Sequence, residues 1–173
     1  DHAADRGTGR GLGAVTVTIR SATTADAATL LELVCGLAEY ERATNEVVAT
    51  EADYVRALSR TPPEMEALLA EEDGRALGFA LFFPNYSTFL AKPGLYLEDL
   101  FVQPAWRGRG IGRALLQELA VRAVARGCGR MEWAVLDWNA PSIAFYRRLG
   151  AEPMDEWTTF RLTGDALTRL AAA

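Results

Sequence analysis

Histidine is almost missing from this chain. Its 173 residues contain one, His2, beside the N-terminus. A Ser-His-Asp or Cys-His hydrolase needs an imidazole inside its fold, as do most zinc hydrolase sites. Those classes are excluded, and no metal is expected. Cysteine is nearly as scarce. Cys35 and Cys128 lie far apart and form neither a disulfide framework nor a metal knuckle. Cys35 sits in an apolar helical pattern and is expected as a buried free thiol. Cys128, in "RGCGRM" before a strand, has little to mark it as a nucleophile. No apolar run approaches the roughly 20 residues of a membrane helix, and the N-terminus has no signal-peptide core. A cytoplasmic protein with no membrane contact is expected. The net charge of −5 argues against nucleic acid as a partner and suits a cationic small molecule.

Half of the residues are hydrophobic and 24% are charged, enough for one domain with a real core. Residues 1–14 are glycine-rich, with few large apolar side chains, and read as a flexible leader or an appended remnant. One domain is expected over 15–173. "VTVTIR" from Val15 alternates as a first strand. Leu30, Val34, Leu37 and Leu31, Cys35, Ala38 form stripes on a helix from about Thr24. A second helix begins near Thr50 and stops at "TPP". Asp73-Gly74 joins "MEALLAEE" to "RALGFALFF" as a hairpin. A loop through Pro84, Asn85, Lys92 and Pro93 leads to the strand "LYLEDLFV", Leu95 to Val102. A helix from Ile111 carries apolar residues at 111, 115, 119 and 123. "MEWAVLDW" reads as the next strand, "NAPSIAFYRRLG" as a helix capped near Asn139, "EWTTFRL" as a last strand and "GDALTRLAAA" as a terminal helix. The class is α/β, with a mixed sheet.

Between the central strand and its helix lies "QPAWRGRGIGR". Glycines let backbone N–H groups turn inward, and a helix N-terminus adds partial positive charge, so such a turn suits a phosphate or pyrophosphate. A P-loop would need G-x-x-x-x-G-K-[ST], which is absent. A dinucleotide fingerprint would place G-x-G-x-x-G in the first βαβ unit, whereas here the sixth position is Arg113 and the turn comes late. R-x-x-G-x-G is matched by Arg107, Gly110 and Gly112. A tight, arginine-rich surface turn would look similar.

"YLEDLFVQPAWRGRGIGRALL", followed after about 20 residues by "AVLDWNAPSIAFYRRLGA", resembles the GNAT superfamily of acyl-CoA-dependent N-acetyltransferases, most closely its diamine and thialysine branch. "IRSATTADAATLLELVCGLAEYER" resembles that branch's first strand and helix. The resemblance covers roughly residues 15–170. It implies a twisted mixed sheet flanked by helices, its middle strands splayed at a bulge, with acetyl-CoA as co-substrate in the gap. By the same resemblance the segment Leu100, Phe101 and Val102 offers backbone groups to the acetyl and pantetheine arm. Arg107 opens the pyrophosphate loop of Gly108, Arg109, Gly110, Ile111, Gly112 and Arg113. Asn139 and Ser142 meet the coenzyme's far arm or frame its channel, and Tyr146 is the general acid. Tyr40, Glu41, Trp133 and Ala134 line the amine's site, with Glu156 reaching a partner subunit's site in a homodimer.

The chemistry sets three tasks. Charge developing on the carbonyl oxygen needs a donor, which a freed strand N–H supplies. The departing thiolate, whose conjugate acid has a pKa of about 8.5, gains from a proton, and a tyrosine of reference pKa about 10 can give one. Tyr146 would also suit a core aromatic beside Phe145. Third, an alkylammonium of pKa about 10.4 must lose a proton, at roughly 4.6 kcal/mol at pH 7. Glu98 is the candidate: strand alternation sets it on the face of Leu100 and Val102, where it could hold the ammonium and pass its proton out through water. It would equally serve as an ion-pair partner at a strand edge. Alternation turns Asp99 the other way, toward a structural role or a subunit contact.

The loop "NYSTFLAKPG" has no carboxylate, which disfavours long polyamines and points to a small primary amine, a thialysine- or lysine-like amine or a diamine. Lys92 there could meet an amino acid's carboxylate or simply be solvated. Two other readings stay open: an acetyltransferase acting on protein amines, and a non-catalytic acyl-CoA-binding sensor.

Overall fold

The computed structural model describes residues 16–173. The expected leader, 1–14, and Val15 of the expected first strand lie outside the described residues. The chain divides into two compact units, one running to Ala134 and one from Val135 to Ala173.

The first unit is a five-stranded sheet in the order β1-β2-β3-β4-β5. Strands β1 (Thr18–Ser21), β2 (Glu66–Glu72), β3 (Arg75–Ser87) and β4 (Lys92–Val102) pair antiparallel, and β5 (Met131–Trp133) joins β4 parallel. Helices α1 (Ala27–Tyr40) and α2 (Glu51–Ser59) precede β2, and α3 (Ile111–Ala125) links β4 to β5. Local chemistry sets the ends. Thr50 and Asp53 close a reciprocal capping box at α2. Asp73 and Gly74 both take positive φ, 51° and 74°, as a two-residue hairpin turn requires. Arg20 forks onto Asp26 (2.7 Å) and Glu71 (2.6 Å), tying β1 to the start of α1 and to β2. The guanidinium beside Asp26 holds its carboxyl down at about 2.

Strand alternation splits the core. Leu69, Phe79, Leu81 and Phe101 pack with Leu30, Leu33, Leu37 and Tyr54 of α1 and α2. Leu68, Ala80 and Phe82, equally buried, occupy the opposite face. There α3 buries Ile111, Leu115 and Leu119, and Arg126 at its end lies 5.8 Å from the centroid of the Phe82 ring. Those helical residues are the ones whose spacing marked them in the sequence.

Cys35 departs from expectation: it is exposed. The buried face of α1 is centred on Leu30, Leu33 and Leu37. At 100° per residue, Cys35 falls well outside that stripe. The expected loop from Pro84 to Pro93 is also mostly strand, because β3 runs on to Ser87 and β4 starts at Lys92. Pro93 is accepted near the start of β4, where a missing N–H costs least.

The second unit holds α4 (Ala140–Arg148) and α5 (Gly164–Ala171). Asn139 caps α4 by accepting from the Ser142 N–H (3.3 Å), Pro141 sits in the first turn, and Gly150 follows at φ 90°. Two expected strands are shortened or absent. "MEWAVLDW" is strand only over Met131–Trp133, and "EWTTFRL" pairs with no strand among the described residues. Both have β-forming composition, but a strand persists only where a neighbouring edge takes its hydrogen bonds. Among the described residues, no helix is long and apolar enough to cross a membrane.

Candidate active site

The centre of the site is an irregularity in β4. Phe82 lies opposite Leu97 and Leu81 opposite Asp99, so Glu98 is an extra residue with no partner across the ladder. This is a β-bulge. It reverses the direction of the backbone groups. Before it, the Leu95 N–H donates to Arg130 O at 3.1 Å, toward β5. After it, the Gln103 N–H donates to Leu77 O at 2.9 Å, toward β3. Counting back by twos, Phe101 and Asp99 also turn toward β3, while Leu100 and Val102 turn toward the β5 side. The β4–β5 ladder ends at Leu97 and Trp133, and no strand among the described residues pairs with the edge beyond it. The middle strands are therefore parted where the sequence implied. The open edge carries the Leu100 and Val102 backbone groups, and the Val102 carbonyl accepts from Arg107 Nε at 2.9 Å.

The same bulge bears on the two acids. Counting by alternation separates Glu98 from Asp99, but a bulge sets two residues against one. Here Asp99 stays opposite Leu81, on the face that carries Phe101, and Glu98 is the inserted residue, so alternation no longer fixes the direction of Glu98. Asp99 is pushed up to about 6, chiefly by burial, then by the negative charges of Glu98 and Glu41. Glu98 is exposed. Burial also raises the Tyr54 hydroxyl, with Asp99 adding to it. At the C-terminal end of α1, partial desolvation and the charge of Glu46 raise Glu41. Tyr40, beside it, packs against the α1/α2 core, its ring centroid 4.6 Å from the Arg107 guanidinium carbon. The first unit thus gathers Tyr40, Glu41, Glu98 and Asp99 around one stretch of β4. Asp99 is the residue that sequence reasoning set aside. Its signal in the sequence is an acid inside an apolar strand.

The glycine turn has the form an anion cradle needs. Gly108 (φ 78°) and Gly110 (φ 79°) are left-handed, a conformation in which any side chain would be strained. A Cβ at either would meet open space, so glycine is required there by the backbone and not by crowding. Gly110 is the N-cap of α3 and supplies no side-chain acceptor to the first-turn N–H groups of Ile111, Gly112 and Arg113. The arginines are not all aimed at a ligand. Arg109 is held by Glu72 at 2.6 Å and lies 5.1 Å from the centroid of the Trp106 ring.

In the second unit, α4 carries Ser142 and Tyr146, the latter half-buried with its ring 5.4 Å from that of Phe145. Asn139 is buried at the cap. Trp133 is half-buried on β5, Ala134 is exposed beyond it, and Glu156 is exposed in the unpaired segment.

A mixed sheet parted at a bulge, with a glycine cradle feeding a helix at the end of the parted strand, is the architecture implied for acyl-CoA-dependent transferases. The acetyltransferase (GNAT) family model matches residues 29–151, and the chain belongs to that family. Members use acetyl-CoA, and this chain is a GNAT-family enzyme. It is 35% identical over 166 residues to a thialysine N-epsilon-acetyltransferase of Bos taurus, covering 90% of this chain and 97% of that protein. It is 49% identical over 107 residues to an L-ornithine N5-acetyltransferase of Arabidopsis thaliana, covering 61% of this chain and about half (47%) of that protein. An integron cassette protein from the V. cholerae mobile metagenome has the same fold, with TM-score 0.76 and 28% identity over 91% of this chain and 98% of that one.

Proposed function

We propose that the enzyme acetylates the side-chain amine of a small basic amino acid, of the thialysine, lysine or ornithine type, as a single catalytic domain over 15–173. The observation that carries this reading is the carboxylate pair Glu98 and Asp99 at the β4 bulge, with the charge of Glu41 also reaching Asp99, next to the open Leu100–Val102 edge. The two relatives named above support the substrate class. Thialysine and ornithine are both α-amino acids ending in a primary amine, the chemistry a carboxylate-lined site would hold.

Acetyl-CoA supplies an activated acetyl thioester, whose carbonyl carbon is attacked by the neutral amine as the thiolate leaves. The open strand edge fits the acetyl and pantetheine arm, because its backbone groups need partners. A Leu100 or Val102 N–H would meet charge developing on the carbonyl oxygen. The Gly108–Arg113 turn would hold the pyrophosphate, with Asn139 and Ser142 toward the far arm. Tyr146 would protonate the leaving sulfur.

Glu98, exposed, would anchor the ammonium, and Asp99 would take its proton. Moving a proton from an alkylammonium to an ordinary carboxylate is uphill by about 8 kcal/mol. With Asp99 at about 6 the step falls to about 6 kcal/mol. Tyr40, Glu41, Trp133 and Ala134 would frame the rest of the amine.

The test is a steady-state comparison. With acetyl-CoA at fixed pH and salt, kcat/KM for thialysine or ornithine is expected to exceed that for spermidine. Faster spermidine turnover would favour the polyamine reading. Acetylation of a peptide N-terminus with no small-amine turnover would favour a protein substrate.

We also propose a homodimer, with Glu156 near the neighbour's site. The segment 156–162 has strand composition but no ladder partner among the described residues, and it exposes Trp157 (75%) and Phe160 (93%). A second copy of the chain is the occupant suited to pair that edge and cover those rings. Light scattering at micromolar concentration is expected to give twice the chain mass. A monomer would remove the shared site.

A further inference from the structure

We infer that Arg107 is a positioning residue that couples the amine side of the site to the coenzyme-binding edge, and not a phosphate ligand. The inference rests on the acetyl-CoA reading above.

Three contacts made by one side chain carry it. Nε donates to the Val102 carbonyl at 2.9 Å. The guanidinium carbon lies 4.6 Å from the centroid of the Tyr40 ring and 5.6 Å from that of Phe101. Arg107 is also the residue at which the chain leaves the short 3-10 turn after β4, with extended backbone (φ −68°, ψ 159°), one residue before left-handed Gly108. Its main chain therefore opens the cradle, while its side chain reaches back to β4 and across to the last residue of α1. Tyr40 and Val102 are 62 positions apart in sequence, and Arg107 touches both.

The chemistry of arginine fits this post. A planar guanidinium can stack on an aromatic face while a directional N–H holds a carbonyl. Lysine keeps the charge but loses both the Nε–H and the flat face. If Val102 must be held at the parted edge to receive the pantetheine arm, loosening Arg107 loosens coenzyme binding without removing any contact to phosphate. Shifting Tyr40 does the same from the amine side. The two effects then share one physical cause and cannot add.

The test is a binding cycle on the full chain, read as acetyl-CoA affinity by calorimetry with no amine present. Arg107→Lys is expected to raise Kd about tenfold, as loss of a charge-assisted hydrogen bond and a cation–π contact implies. Tyr40→Leu should raise it about threefold, and the double variant no more than Arg107→Lys alone. Tyr40→Phe, which keeps the ring, should restore wild-type affinity. In turnover, Arg107→Lys should raise the coenzyme KM and hold kcat within about twofold, since the side chain touches no reacting atom.

A second measurement does not depend on Tyr40. Arg107→Gln removes the charge, and the salt dependence of acetyl-CoA binding is then compared with wild type. An unchanged slope is expected from a positioning residue. A flattened slope would make Arg107 a phosphate contact, and additive effects of Tyr40→Leu and Arg107→Lys would separate the two residues. Either result overturns the inference while leaving the coenzyme reading in place. Failure of the wild-type protein to bind acetyl-CoA would overturn both.

Discussion

Tyr146→Phe is expected to lower kcat by about 10²–10⁴-fold, the usual worth of a general acid, with the fold and acetyl-CoA affinity retained. The substitution removes one hydroxyl and keeps the ring, so the 5.4 Å contact with Phe145 survives. The helix that presents it is fixed independently of that hydroxyl. The Asn139 cap, Pro141 in the first turn and left-handed Gly150 beyond its end define α4. A reference tyrosine lies about 1.5 pKa units above a reference thiol, so proton transfer to the departing sulfur costs only about 2 kcal/mol. The loss should therefore fall on the chemical step. It is checked by kcat with thialysine and by calorimetry of acetyl-CoA on the same preparation. Turnover within a factor of two of wild type would leave Tyr146 as a packing aromatic.

The legible parts of this molecule are those governed by local rules. Periodicity of 3.6 marked Ile111, Leu115 and Leu119, all buried on α3. Cap and turn chemistry marked Thr50, Asp73-Gly74 and Asn139, each of which does what its side chain or backbone preference dictates. The glycine spacing marked a turn whose left-handed φ at Gly108 and Gly110 explains why glycine is needed there. Non-local pairing was not legible. No local pattern says that β4 gains a residue against β3 at Glu98, so a count by twos cannot be carried across that position. The segment 156–162 failed for the converse reason. Its composition is that of a strand, yet strand formation also needs a free edge across from it, which the sequence does not disclose. Arg107 stood out in the sequence only as the first letter of a phosphate motif. Its stacking on Tyr40 depends on bringing together residues 67 positions apart.

Asp99→Asn is expected to separate activity from stability in opposite directions. The Asp99 carboxyl is raised from 3.8 to about 6, mainly by burial and then by the Glu98 and Glu41 charges. The folded protein therefore binds this proton more tightly than the unfolded chain does. Stability falls as pH rises from about 3.8 through about 6, and the loss is complete above that range, at roughly 3 kcal/mol for an ionised Asp99. The asparagine variant carries no such charge. At pH 7.5 its Tm should exceed that of wild type by several degrees, and at pH 4, where the wild-type carboxyl is largely protonated, the difference should nearly vanish. Turnover should move the other way. Without a proton acceptor raised toward the amine, kcat at pH 7.5 is expected to drop about 10²-fold. The acid limb of kcat/KM near pH 6, which reports the free enzyme, should disappear with the carboxyl. Thermal melts at the two pH values and a pH–rate profile on one pair of proteins test this. An asparagine variant that melts lower than wild type at pH 7.5 and turns over at the full rate would make Asp99 a structural acid and return the proton to Glu98 alone.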